Sequence, residues 1–154
     1  MNDFDFLAGT WSVQHRRLNE RLSGCDVWEA FDGTTVCRSI LGGVGNFEEV
    51  FMPSRGAIGS TLRLFDSTTG LWSIHWASSL TGRLDTPMVG SFTGGVGTFY
   101  GDDVHNDSPV RVRFTWDQIT RTTARWQQAF SADDDQWETN WIMELTRTPE
   151  AAAD

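Results

Sequence analysis

Trp137-Glu138-Thr139-Asn140-Trp141-Ile142-Met143-Glu144-Leu145-Thr146 alternates with a period of two. Trp137, Thr139, Trp141, Met143 and Leu145 share one face, and Glu138, Asn140, Ile142 and Glu144 share the other. Successive side chains of a strand point to opposite sides, so the stretch reads as a half-buried β-strand. The two preceding segments repeat the pattern. Trp126, Gln128 and Phe130 oppose Arg125 and Gln127, and Val112, Phe114 and Trp116 oppose Arg111 and Arg113. The Arg/Glu face of these strands is expected to be a solvated exterior with cross-strand ion pairs.

Read back towards the N-terminus, the chain continues in short alternating segments. Strands are expected over 10–21, 26–31, 34–41, 45–52, 57–65, 71–77, 88–92, 97–100, 109–116, 122–130 and 137–146. Asp32-Gly33, Ser67-Thr68-Thr69-Gly70 and Gly94-Gly95 are read as turns between them. Asn2 to Leu7 holds a single short helical turn, with Asn2 or Asp3 as its cap and Phe4, Phe6 and Leu7 plugging a core. No amphipathic helix of three turns is present in the pattern. One domain is expected over 1–147, with a disordered tail at 148–154. About ten consecutive strands with short turns favour a closed antiparallel up-and-down barrel of about eight to ten strands, because closure removes exposed edges. Such a barrel is wide enough to hold one small ligand.

Composition bounds the function. The chain has 154 residues, of which 39% are hydrophobic and 12% aromatic, with eight Trp and ten Phe. So many large apolar groups require a core, which excludes disorder. Twelve basic residues, all Arg, face 21 acidic ones, for a net charge of -9. That charge argues against nucleic acid or an anionic membrane as the main partner. The absence of Lys excludes Schiff-base and P-loop lysine chemistry. The first residues lack the basic and apolar regions of a signal peptide, and no run approaches the ~20 apolar residues of a membrane span. With Cys25 and Cys37 the only cysteines, a reduced, cytoplasmic setting is expected.

Period-two reading supplies the candidate ligand-binding residues: Trp11, Val13, Phe47, Phe51, Leu62, Leu64, Trp72, Trp76, Phe114, Trp116, Trp126, Gln128, Thr139, Trp141 and Met143. Polar groups interrupt three of these faces. His15 follows Trp11 and Val13, Glu29 lies between Val27 and Phe31, and Glu49 lies between Phe47 and Phe51. If the faces point inward, an imidazole and two carboxylates line one pocket, where burial moves their pKa values towards neutrality. If a face is reversed by a one-residue slip, its polar group meets solvent. A third possibility is a buried ion pair with Arg17, Arg38 or Arg63. His75 reaches a cavity only if Trp72 and Trp76 pack between strands instead.

The remaining motifs carry less. Asp102-Asp103-Val104-His105-Asn106-Asp107 and Asp133-Asp134-Asp135 are expected to be solvated loops, without metal. Leu41-Gly42-Gly43-Val44-Gly45-Asn46 and Thr93-Gly94-Gly95-Val96-Gly97-Thr98 are glycine-rich but do not lead into helices, so they read as barrel corners rather than phosphate loops. No Gly-x-Ser-x-Gly elbow is present.

Phe6-Leu7-Ala8-Gly9-Thr10-Trp11 resembles the opening of calycins. In lipocalins and fatty-acid-binding proteins a Gly-x-Trp motif follows a short N-terminal helix, and its Trp closes the barrel floor. Together with His15-Arg16-Arg17-Leu18, Leu41 to Asn46, Leu62 to Asp66, Trp72 to Trp76 and Trp137 to Trp141, the chain is similar to small uncharacterised bacterial lipocalin-like barrels. The opening is also similar to that of nitrobindin-like haem barrels. That resemblance implies a late proximal His, whereas no His follows His105; no cofactor is expected.

Three functions follow. The first is non-catalytic binding of a small apolar or aromatic ligand in the barrel. The second is a cofactor-free isomerase, cyclase or decarboxylase with His15 and Glu29 or Glu49 as acid and base. The third is an interaction protein that forms a homodimer through exposed Trp28 and an unpaired strand edge.

Overall fold

In the computed structural model, which describes residues 3–149, ten antiparallel strands close into one barrel. They are β1 (Gly9–Leu18), β2 (Trp28–Ile40), β3 (Gly45–Met52), β4 (Ala57–Asp66), β5 (Leu71–Ser78), β6 (Met88–Thr93), β7 (Val96–His105), β8 (Ser108–Asp117), β9 (Thr123–Ser131) and β10 (Glu138–Arg147). Each strand pairs with its neighbours in sequence, and β10 returns to β1 with Val13 opposite Leu145. This is the up-and-down barrel that the alternating pattern predicts. Among the described residues no helix is long and apolar enough to cross a membrane.

One end is sealed by the N-terminal segment. A short 3-10 turn, Asp5–Leu7, precedes β1. Leu7 and Trp11 are fully buried, and the Trp11 indole N–H donates to the Leu7 carbonyl at 2.9 Å. Arg147 lays its guanidinium 4.2 Å over the Trp11 ring and donates to the carbonyls of Ala8 (2.7 Å), Arg121 (2.9 Å) and Phe6. Gly9 has φ +119°, and a Cβ there would meet Arg147 at 2.8 Å. Phe4 lies among Trp72, Phe92, Phe99 and Trp116 in mostly edge-on contacts. Asp3 does not supply the expected cap. The Asp3 carboxylate accepts from the Trp72 indole at 2.9 Å instead, and Asn2 lies outside the described residues.

Two expectations about the strands are corrected. Asp32-Gly33 is no turn: β2 runs through it, with Gly33 opposite Val13. A Cβ on Gly33 would sit 2.6 Å from the Phe51 carbonyl oxygen and 2.8 Å from His15 Nε2, so glycine admits the neighbouring backbone and the imidazole rather than reversing the chain. Asp102 to His105 belongs to β7, and only Asn106 and Asp107, both at positive φ, make the turn. The barrel closes, yet Trp28 to Gly33 of β2 pair with β1 alone, and Trp28 is exposed. The hairpins at Gly70 and Gly94-Gly95 form as expected, with all three glycines at positive φ. In the expected tail, the Thr148 amide donates to the Thr10 carbonyl at 2.9 Å, and residues 150–154 lie outside the described residues.

Candidate functional site

Above the packed floor the barrel encloses a cavity of about 220 Å³. Strands β5, β8, β9 and β10 contribute Trp76, Phe114, Trp116, Trp126, Phe130 and Trp141 to its wall, with Gln128 and Met143. Trp126 and Trp141 meet edge to face at 5.4 Å, as do Trp76 and Trp141 at 6.3 Å. Aromatic pairs prefer this geometry, and it presents ring faces and edges to the space between them. Trp11, Val13 and Trp72 also face inward, but they are packed into the floor and do not reach the cavity.

The opposite wall is inverted relative to the expected faces. On β3 the inward residues are Asn46, Glu48, Val50 and Met52; Phe47, Glu49 and Phe51 point out. On β4 the inward residues are Ala57, Gly59, Thr61 and Arg63; Leu62 and Leu64 point out. Phe47 lies opposite Leu62 across the pair, so these apolar residues face one another on the exterior. The slip is one residue on each strand, which inverts the whole face. Glycine shows the true orientation: a Cβ on Gly59 would lie 1.9 Å from Trp76 Cη2, so Gly59 shares the inner face with Trp76. On β10 a register shift between Thr139 and Trp141 places Asn140 inward and takes Thr139 off the cavity wall. Asn140 Oδ1 accepts from Gln128 Nε2 at 2.8 Å. Trp137 lies outside, under Arg113 and beside Tyr100.

The inverted strands bring a buried ion pair to the cavity. Arg63 Nη2 donates to Glu48 Oε1 at 2.6 Å, and Arg63 Nη1 donates to Asn46 Oδ1 at 3.0 Å. The Thr35 hydroxyl donates to the other Glu48 oxygen. Arg63 lies over the rings of Phe4 and Trp116. Both partners are almost completely buried. Beside them, burial pushes the Cys37 thiol up to about 12, which leaves it unreactive. Among the candidate partners for a buried ion pair, Arg63 forms one, but with Glu48 rather than with His15, Glu29 or Glu49.

The expected acid–base group is not assembled. His15 is fully buried but stands behind the cavity wall, stacked on Phe31 at 4.6 Å. Its Nδ1 accepts from the Trp141 indole at 3.1 Å, and its Nε2 has no partner. Burial, followed by the charges of Arg17 and Arg55, lowers its pKa to about 4. Glu29 lies at the rim, exposed and paired with Arg55 at 3.2 Å. Glu49 is exposed, as is Val27. His75 points outward and its Nε2 lies 3.1 Å from the Ser73 hydroxyl. Among the described residues no group of three His, Cys, Asp or Glu side chains could hold a metal ion.

The mouth is formed by Arg17, Arg21, Asp85, Thr86, Asp102 and Asp103. None of these was singled out from the sequence as a cavity residue. Arg17 continues the inward face of β1, so its place was accessible to period-two reading. Arg21 and Asp85 lie in connections, where no periodicity operates. Burial, then the neighbouring Asp103 charge, raises the Asp85 carboxyl above its ordinary range. A scan against protein-family models finds no match for the chain, and a search of curated proteins finds none either.

Proposed function

We propose that the barrel binds a small aromatic or apolar molecule in its cavity without transforming it. The observation that carries this reading is an interior space of about 220 Å³ walled by aromatic rings. An apolar cavity of about 150 Å³ is enough to take benzene. Six of the eight Trp are in the barrel interior, two in the floor and four on the cavity wall, yet they leave this volume open. Binding should be read from tryptophan fluorescence titrated with naphthalene and related lipophiles. Saturable quenching supports the reading; no response from any of them, with a solvent-free interior in a crystal structure, would sink it.

A cofactor-free acid–base enzyme is the second reading. The observation favouring it is Asp85, an exposed carboxyl at the cavity mouth with a raised pKa. Groups of this kind are poised for proton transfer. On a substrate that is turned over, Asp85→Asn would abolish turnover and spare binding; full activity of that variant would remove Asp85 from the reaction.

The kinship with calycins remains a proposal, supported by the closed meander and the Trp11 floor. A reduced, cytoplasmic setting is proposed in the same way, supported by the free Cys25 and Cys37 thiols.

A further inference from the structure

Two other arginines of this barrel are well engaged. Buried Arg63 has Glu48 and Asn46, and half-buried Arg147 has three backbone carbonyls. Arg17 and Arg21 are different. Neither is in an ion pair among the described residues, and Arg17 Nε and Arg21 Nη2 are buried without a hydrogen-bond partner. Each guanidinium instead lies over a ring of the cavity wall, Arg17 over Trp141 at 4.5 Å and Arg21 over Phe130 at 5.1 Å. A third cation, Arg55, lies over Phe31 close by. Burial, then the charges of Arg21 and Arg55, lowers Arg17 to about 10; burial lowers Arg21 as well, with Asp103 opposing the shift and Arg55 adding to it. They remain cationic at neutral pH.

Arg17 and Arg21 line both the interior cavity and a shallow recess outside the mouth, so they separate the two spaces. Desolvated cationic donors without acceptors are costly, and here they cluster against like charge. The nearby carboxylates act on the two arginines through space but make their bonds elsewhere. Glu29 is held by Arg55, Asp102 by Arg111, Glu138 by the Leu22 amide and Asp103 by the Val104 amide. Asp85, the remaining acid of the mouth, forms no ion pair with either arginine.

We propose that Arg17 and Arg21 form an oxyanion site at the cavity mouth, and that the ligand is an aromatic acid whose carboxylate or phosphate head they hold while its ring enters the cavity against Trp126 and Trp141. Planar guanidinium forks match both heads through paired, charge-assisted hydrogen bonds. This rests on the aromatic-ligand reading above and adds the charge and the orientation of the ligand.

The test compares three probes of one ring size: 1-naphthoate, 1-naphthyl phosphate and neutral 1-naphthalenemethanol. Each is titrated into the wild type, Arg17→Met and Arg21→Met by tryptophan fluorescence and calorimetry. The better of the two anions should bind the wild type at least about tenfold more tightly than the alcohol. The relative affinity of the two anions separates carboxylate from phosphate recognition. Each Met variant should lose about tenfold for that anion and leave the alcohol little changed. Arg17→Lys, which keeps charge but not the fork, should fall between, and it serves with Arg21→Met if Arg17→Met does not fold. If the alcohol binds as tightly as the anions, or the variants keep the anion's affinity, the oxyanion site is wrong and the aromatic cavity stands. If no probe binds, the cavity reading fails and takes this one with it.

Discussion

The indole N–H of Trp141 donates to Nδ1 of His15 across 3.1 Å. An imidazole nitrogen that accepts carries no proton, so the neutral ring holds its hydrogen on Nε2. That hydrogen is buried without an acceptor. Protonating His15 would break the Trp141 bond and place a charge beside Arg17 and Arg55. The same contact fixes the angle of a cavity-wall ring, so His15 acts on the site through Trp141 rather than by facing it.

This pair predicts a pH dependence of stability. The His15 pKa lies near 4 in the folded chain against an ordinary 6.5. Between those values the unfolded chain binds the proton and the folded one does not. Stability from this group is therefore full above pH 6.5, declines as pH falls towards 4, and levels off below. The total is roughly 3 kcal/mol at about 1.36 kcal/mol per unit. Urea midpoints across this range should show the decline, and His15→Gln should remove most of it above the carboxylate range. Nuclear magnetic resonance of the ring should show the Nε2–H tautomer; a His15 that titrates near 6.5 would refute the argument.

Glu48 and Arg63 predict a strongly non-additive pair. Glu48→Gln leaves the Arg63 guanidinium charged, buried and facing a neutral amide. Breaking one partner of such a pair costs about 3–5 kcal/mol. Replacing both, Glu48→Leu with Arg63→Met, removes the uncompensated charge and should cost clearly less than the sum of the single changes. Chemical denaturation of the four species measures the coupling, and additive losses would mean the two groups do not depend on each other.

The same two residues show where the sequence is legible. On β8, β9 and the part of β10 after its bulge large side chains alternate with polar ones, so periodicity orients the faces, as Trp126 against Arg125 does; before the bulge it misplaces Thr139 and Asn140. On β3 and β4 the contrast is inverted. Phe47, Phe51, Leu62 and Leu64 lie outside while Glu48, Thr61 and Arg63 lie inside. A hydrophobicity pattern assigns the wrong face when a polar network is buried and apolar groups cover its back. Gly33 misled for a related reason: a glycine that admits a neighbouring ring looks, one residue at a time, like a glycine that turns the chain. The ten-strand barrel survives these errors because closure depends on strand number and turn length, which a face inversion leaves intact.

Arg147 ties the end of β10 to the floor, so Arg147→Met should loosen closure. The variant leaves the Phe6, Ala8 and Arg121 carbonyls without their donor and uncovers the Trp11 ring. Hydrogen bonds from charged groups are worth about 1.5–3 kcal/mol each, not additively, so a loss of about 3 kcal/mol is expected. Thermal unfolding gives the magnitude. Faster amide exchange at Leu7 and Trp11 locates the effect, and unchanged exchange there would place the role of Arg147 elsewhere.

Gly59 sets the depth to which Trp76 can lie in the wall. A Cβ at residue 59 would overlap the Trp76 ring, with Cη2 at 1.9 Å and Cζ2 at 2.5 Å. The φ of Gly59 is not in the left-handed region, so backbone strain does not enter. Gly59→Ala must therefore push the indole inward, into the cavity. Overpacking of this kind costs about 1–3 kcal/mol. It should also weaken or abolish binding of naphthalene-sized probes by reducing the open volume, while Trp76→Phe in the same background restores room and binding together. Full affinity in Gly59→Ala would mean that Trp76 yields outward, and that this side of the cavity does not limit what the barrel can hold.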